Sequence, residues 1–352
     1  MKTPYFRMSR QRLEENLKKL NSIQKQSGVK ILHTVKSFNQ ELILPLISSN
    51  LAGMSVGNIN ELSMAQKAHA KHIHLYAPAY KKKELEEIIE DVTTISFNSL
   101  NQWNSFQDIS QKSSMGLRIN PKLHLPIPSH CNPNLDYSRL GIDYQEFIEA
   151  FQENPNQFSS LEGLHIHALF QSSEEGTFLL LDHIIKNFQQ ILPQIQWINL
   201  GGGHNFTSNT FNVNNFISTV KNFKTLYPKI QLYFEPGEAT TKGSGEFITT
   251  VLDIIHIADQ NVVILDTSTE THLLDVAIVN QRLRVEGTQA TSTHYFYELT
   301  GNSCLQGDYI GAYFFKEPLE IGSKVIFEDM MGYTMVKMSE FNGIEKASFR
   351  VE

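Results

Sequence analysis

The sequence is poor in cysteine: its 352 residues hold two, Cys131 and Cys304, in no CxxC pair. Two isolated thiols exclude a disulfide-stapled scaffold and a cysteine-built structural zinc, and they suit a reducing compartment. Long apolar runs are missing too, since nothing approaches the ~18 residues that span a bilayer. The opening MKTPYFRMSRQRLEENLKK lacks the apolar core of a secretion signal. A cytoplasmic location is therefore the expectation. Positive charge is in deficit, with 30 Lys+Arg against 37 Asp+Glu and a net charge of −7. That balance argues against nucleic-acid binding and favours cationic ligands. Low-complexity segments are absent. With 41% hydrophobic and 19% charged residues, the chain has the composition of a globular protein with a large core. Its length suits two domains, or one barrel with an attachment.

What is present is a beat. After a helix-like opening (9–25), short β-rich runs recur: KILHTVK (30–36), GMSVG (53–57), IHLYA (73–77), TTISFN (93–98) and MGLRIN (115–120). Their starts lie 23, 20, 20 and 22 residues apart, with helix-like segments such as ELSMAQKAHA between them. Parallel strands need such helical crossovers. GLHIHA (163–168), WINLGGG (197–203) and LYFEPG (232–237) bring the total to eight, the strand count of a (β/α)8 TIM-like barrel. The gap before the sixth run holds a Pro/Asn-rich loop, PKLHLPIPSHCNPNLDYSRLG, and then a helix; a loop of that length in a compact domain marks function. From about residue 247 the helices cease. FITTVLDII, NVVILDTS, LRVEG, HYFYELTG, IGAYFF, KVIFED and YTMVKM read as strands joined by turns, which predicts a separate C-terminal β domain, a β-barrel or β-sandwich. The expected division is 8–246 for the barrel and 247–352 for the β domain, joined by residues 1–7.

Chemistry in such a barrel gathers at the C-terminal ends of its strands. Those ends carry Lys36, Asn98, Arg118, His167, the run Gly201, Gly202, Gly203, His204, and Glu235. Lys36 is either a lysine snorkelling from a strand end or a desolvated amine that forms a Schiff base. The glycine run is either a tight turn or a phosphate cradle, since barrels bind phosphate in the loops after strands seven and eight. Glu235 either pairs with Arg118 or holds a proton on a pyridine nitrogen, the partner that a pyridoxal phosphate ring needs as an electron sink. His165 and His167, two apart on one strand, share a face. They are core histidines, ligands of a metal-dependent barrel hydrolase, or a ring stacked on a flat cofactor. The other strand ends offer a metal only one carboxylate, so no metal ligand is assigned.

Taken together, FNS (97–99), GLRINP (116–121), YSRLGI (137–142), GLHIHAL (163–169), WINLGGGH (197–204), FEPGEA (234–239), ILDTSTETHLLD (264–275), LTGNSCLQGD (299–308) and FEDMMGYTMVK (327–337) resemble the pyridoxal 5′-phosphate-dependent decarboxylases of the alanine-racemase fold. The resemblance runs nearly end to end and is nearest the carboxynorspermidine/carboxyspermidine decarboxylase branch. It implies a polyamine-pathway carboxy-lyase that turns carboxynorspermidine into norspermidine or carboxyspermidine into spermidine. The alternative it leaves is decarboxylation of another basic amino acid. By the same resemblance Lys36 carries the cofactor, His167 stacks on its ring, Glu235 bonds its nitrogen and Arg118 orients it. Gly201, Gly202, Gly203 and Tyr333 hold its phosphate. Cys304, the implied proton donor after CO2 loss, and Asp308 enter from the second subunit of a homodimer. Glu238, Asp275 and Asp308 face the substrate's amines, as spaced carboxylates must for a flexible cation. The sequence departs from the family at Thr34-Val35, where Ala-Leu is common, at Phe170-Gln171, where Cys-Glu is common, at Asn205 and at Leu273-Leu274.

Overall fold

Eight parallel strands follow one another around a closed ring in this computed structural model, which describes residues 2–110, 112–279, 281–291 and 295–352. They are Lys30–Thr34, Gly53–Val56, Ile73–Tyr76, Thr94–Phe97, Ser114–Asn120, Gly163–His165, Trp197–Asn199 and Gln231–Phe234. Each pairs with the next, and the eighth pairs with the first, Phe234 opposite Ile31. The outward side chains, such as Ile73, Leu75, Ile95 and Phe97, are buried under the helices. Side-chain caps start several of these helices. Asn58 accepts from the amide of Glu61, and the Glu61 carboxylate reaches back to the amide of Gly57 at 2.7 Å, a reciprocal cap. Ser99, Asp143 and Asn212 cap the helices Leu100–Phe106, Tyr144–Glu153 and Val213–Leu226. The long segment after the fifth strand adds a short strand, Ile142–Asp143, before its helix.

The chain divides into two compact units, 16–240 and a second made of 1–15 with 241–352. In the barrel unit, Trp197 lies across the fifth and sixth strands, where a Cβ on Gly163 would come within 2.0 Å of its ring and one on Gly116 within 2.5 Å. Phe206, Phe211, Phe216 and Phe234 form a buried ring cluster with centroids 5.1–5.8 Å apart, which backs the loop after strand seven.

The second unit holds a mixed sheet. Gly245–Ile257 pairs antiparallel with Gln260–Leu265, with Lys324–Glu328 and with Tyr5–Met8, and the last of these pairs in parallel with Ser348–Val351. Tyr295–Thr300, Tyr309–Phe315 and Thr288–Gln289 extend the other side. Three expectations are corrected. Helices do occur here, at Thr269–His272 and Leu274–Val279. YTMVKM is a helical turn, Tyr333–Val336, entered from Gly332 at φ 125°. Its alternating β-branched look resembles a strand, but only Met335 is buried within it. LRVEG supplies a single bridge, Val285 to Phe327. His294, which opens the HYFYELTG run, lies outside the described residues.

Candidate active site

The barrel strands end in a network that fixes the predicted residues. Strand one stops at Thr34, and a single 3-10 turn, Val35–Ser37, carries Lys36 past it. The Thr34 hydroxyl donates to the carbonyl of Glu235 at 2.9 Å, and Ser37 donates to the carbonyls of Thr34 and Gly237. The Thr34 departure from the family thus ties strand one to the end of strand eight. The Lys36 side chain is exposed, yet the surrounding protein lowers its pKa by desolvation; the Glu235 charge opposes the shift and Arg118 adds to it. An amine so placed is neutral more often than a free lysine, which is what a nucleophile needs.

Glu235 is 8% exposed and accepts a 2.6 Å hydrogen bond from Asn199 Nδ2. Burial raises its pKa, while hydrogen bonds from Asn199 and Ser55 and the charges of Lys36 and Arg118 pull the other way. Asn199 Oδ1 accepts from the amide of Gly201, so one side chain joins the carboxylate to the glycine turn. Strand six ends at His165, which leaves His167 beyond it. His167 Nδ1 accepts from the amide of Gly202 at 2.8 Å, so Nε2 carries the proton. Burial, with Arg118 and Lys36 nearby, lowers the pKa of His167 well below its ordinary value, and the ring is neutral. Gly201 and Gly203 have φ of 64° and 86°, the region open to glycine. A Cβ on Gly203 would lie 2.0 Å from the carbonyl oxygen of Leu169.

Arg118 is buried with its guanidinium 4.4 Å over the Tyr76 ring, and its Nε meets no hydrogen-bond partner among the described residues. Tyr76 donates to Asn98 Oδ1, which also accepts from Gly141, while Asn98 Nδ2 donates to the carbonyl of Arg139. This clamp holds the YSRLG loop. Glu238 begins a 3-10 turn and faces Gln171, whose Nε2 lies 3.5 Å from Oε2. Gln171 stands at φ 41°, in a loop bridged to the glycine turn through Ser172 and His204.

The barrel unit therefore brings together Lys36, Arg118, His167, Gly201, Gly202, Gly203, Glu235 and Glu238. Tyr333, Asp275, Cys304 and Asp308 lie in the other unit. There Asp275 accepts from Thr334 and forms an ion pair with Lys337, and the Lys337 ammonium lies 5.4 Å over the Tyr333 ring. Cys304 is exposed, with its amide bonded to Asn342 Oδ1 at 3.0 Å. Asp308 is 4% exposed; one oxygen accepts from the amide and hydroxyl of Thr269, the other from the amide of Ser303. Burial raises its pKa, but the bonds from Ser303 and Thr269 outweigh that and hold it low. Its visible work in this chain is to fix the turn that carries Cys304. Asn199, Tyr76 and Ser55 were not singled out from the sequence, though the two-residue strand period turns each toward a residue that was.

A flat, phosphorylated aldehyde fits this donor set. An amine of lowered pKa, a buried carboxylate for a ring nitrogen, a neutral imidazole and a glycine turn with no room for Cβ converge, and Arg118 Nε is a buried donor without a partner among the described residues. Among the described residues, no group of three or more His, Cys, Asp or Glu could hold a metal ion.

A family model described as pyridoxal-dependent decarboxylase, pyridoxal binding domain, matches residues 11–242. The chain is 35% identical to carboxynorspermidine/carboxyspermidine decarboxylase of Campylobacter jejuni, with 98% of this chain and 91% of that protein covered. It is 34% identical to carboxyaminopropylagmatine decarboxylase of Synechocystis, with 97% and 88% covered. The solved structure of Campylobacter jejuni carboxynorspermidine decarboxylase complexed with norspermidine superposes with a TM-score of 0.90 at 34% identity, with 100% of this chain and 94% of that one covered.

Proposed function

The chain belongs to the pyridoxal-dependent decarboxylases and is a pyridoxal phosphate-dependent carboxy-lyase, and on that premise we propose that it decarboxylates carboxynorspermidine or carboxyspermidine in polyamine biosynthesis. The observation that carries the substrate is the 35% identity over nearly the whole chain with an enzyme of that name. The second reading is carboxyaminopropylagmatine, favoured by a relative almost as similar at 34%. The cofactor, when bound, supplies an electron sink for the pair left behind as CO2 departs.

The chain's own residues do the rest. Lys36, its pKa lowered by desolvation, offers its amine for covalent attachment. Glu235, whose ionised form is favoured by hydrogen bonds from Asn199 and Ser55 and by the Arg118 charge against the burial that raises its pKa, would hold the proton at the ring nitrogen. His167, locked by Gly202, presents a ring face, and the amides of the glycine turn, with Tyr333, receive the phosphate. Arg118, held over Tyr76, would orient the ring. Glu238 and Asp275 receive substrate ammonium groups, and Asp308 fixes the turn of Cys304. Loss of CO2 consumes one proton at the carbon it leaves, and Cys304 is its donor. No helix among the described residues is long and apolar enough to cross a membrane. We place the enzyme in the cytoplasm, in keeping with its two free thiols.

The purified holoenzyme is expected to release CO2 from carboxynorspermidine and carboxyspermidine with higher kcat/KM than from lysine, ornithine or diaminopimelate. A preference for one of those amino acids would overturn the substrate class, and a preference for carboxyaminopropylagmatine would select the second reading.

We further propose a homodimer in which Cys304 of one subunit completes the site of the other. Lys36→Ala and Cys304→Ala proteins, each inactive, are to be mixed under conditions of subunit exchange. Random reassociation puts both intact residues in one site of each mixed dimer, so about a quarter of wild-type activity should return. No recovery, with exchange proven by a labelled subunit, would refute shared sites.

A further inference from the structure

The interior of a (β/α)8 barrel is ordinarily packed with branched apolar side chains. Here strands three and four turn polar groups inward. His72 precedes strand three, and His74 follows on the same face by the two-residue period. Thr94, the register partner of His74, and Ser96 do likewise on strand four. These groups form a chain. His72 Nε2 lies 3.0 Å from Thr94 Oγ1, and Thr94 Oγ1 lies 2.7 Å from His74 Nδ1. His74 Nε2 then lies 3.9 Å from Glu235 Oε1, with Ser96 Oγ 3.2 Å from the same nitrogen. His74 and Thr94 are buried, whereas His72 is half-buried and stacks on Tyr233 with ring centroids 4.7 Å apart. His72, Tyr233, Lys30 and Lys71 line a pocket of about 540 Å³ among residues at the N-terminal ends of the strands. One end of the chain therefore meets solvent at the face opposite the mouth, and the other stops 3.9 Å from the carboxylate, a gap that a turn of the His74 ring or one water must close for the last transfer.

We propose that His72, Thr94 and His74 form a proton path through which Glu235 exchanges protons with solvent at the N-terminal face of the barrel. The inference rests on the reading of Glu235 as the partner of the cofactor's ring nitrogen. Glu235 is nearly closed off, and a substrate filling the mouth would seal it further; a rear path lets its charge state equilibrate throughout turnover. The transfers balance. Water gives a proton to His72 Nδ1, His72 Nε2 gives one to Thr94 Oγ1, the Thr94 hydroxyl gives one to His74 Nδ1, and His74 Nε2, once the 3.9 Å gap is closed, gives one to Glu235 Oε1. The reverse sequence returns the proton to solvent and restores both tautomers, so no other reactant is consumed.

Each link needs an imidazole with one N–H and one free nitrogen. Burial pushes the pKa values of His72 and His74 down to about 3, so both rings are neutral at neutral pH. The charges facing the path are Lys30 beside His72, and Lys36 and Arg118 beside Glu235. His165 sits at the same 3.9 Å from the other Glu235 oxygen. It is no second path, because its Nδ1 meets no hydrogen-bond partner among the described residues.

The test follows the visible absorbance of the bound cofactor after a temperature jump in Tris buffer, which drops the pH. It uses holoenzyme with norspermidine filling the mouth. Thr94→Val is expected to slow the relaxation at least about tenfold, and Thr94→Ser to restore it. The static pH titration of the band should be unmoved by Thr94→Val, because a path changes rate and not equilibrium. His72→Phe keeps the stack on Tyr233 and should slow relaxation likewise; it carries the test should Thr94→Val fail to fold. Relaxation as fast as wild type in the folded variants would overturn the path alone, provided Glu235→Gln alters the band's titration. A Glu235→Gln band that titrates as wild type would overturn the reading of Glu235, and the path with it.

Discussion

Lys36→Ala protein is expected to fold, to bind the cofactor only reversibly and to lose decarboxylation by roughly three powers of ten or more, because the substitution removes the covalent anchor. The side chain is exposed on a one-turn helix, so its truncation opens no cavity and the urea midpoint should stay near wild type. Borohydride treatment followed by peptide mass mapping gives the sharper readout. Wild type should yield one cofactor-modified peptide containing Lys36, and the variant none. A modified lysine elsewhere in Lys36→Ala protein would move the assignment to that residue.

The second large effect is expected at Glu235. Replacement by Gln keeps the size and the contact with Asn199 but removes the charge that a protonated ring nitrogen requires. Losing a charged hydrogen bond of ~1.5–3 kcal/mol corresponds to about one to two powers of ten in kcat. Cofactor affinity should fall less, since Lys36 and the glycine turn remain. The pH profile distinguishes this from simple damage: the limb that reports the carboxylate should disappear in Glu235→Gln and persist in Asn199→Asp. An unchanged rate would make Glu235 a structural partner of Arg118 and remove the electron-sink role.

Much of the barrel was legible because its signal is repetitive. A β-rich run near every twentieth residue can be built only as parallel strands with crossovers, and Lys36, Arg118, Gly201 and Glu235 could be placed at the mouth by that count. The supports were harder to read. Inward polar residues on short parallel strands, such as His74 and Thr94, resemble ordinary surface alternation until the ring closes and both faces prove to be covered. The turn at Tyr333 reads as a strand because Thr334 and Val336 are β-branched, and Gly332, which redirects the backbone, precedes the pattern. Asp308 reads as a ligand for a cation; that Thr269 and Ser303 also engage its oxygens could not be known before two segments more than 30 residues apart met.

The strand Tyr5–Met8 lies between Gly245–Ile257 and Ser348–Val351, antiparallel to one and parallel to the other. The sheet that holds it is thus assembled from the earliest and latest parts of this sequence, with the barrel as an insertion between them. During synthesis the barrel can close as soon as Phe234 has emerged and reaches Ile31. Residues 5–8 must wait for more than two hundred others before either neighbour exists. Their contacts are among the most distant in sequence, the kind that form late and slowly. A ribosome-bound chain halted after the eighth barrel strand would therefore carry a finished barrel and an unpaired leading strand, exposed to any partner that offers an open edge.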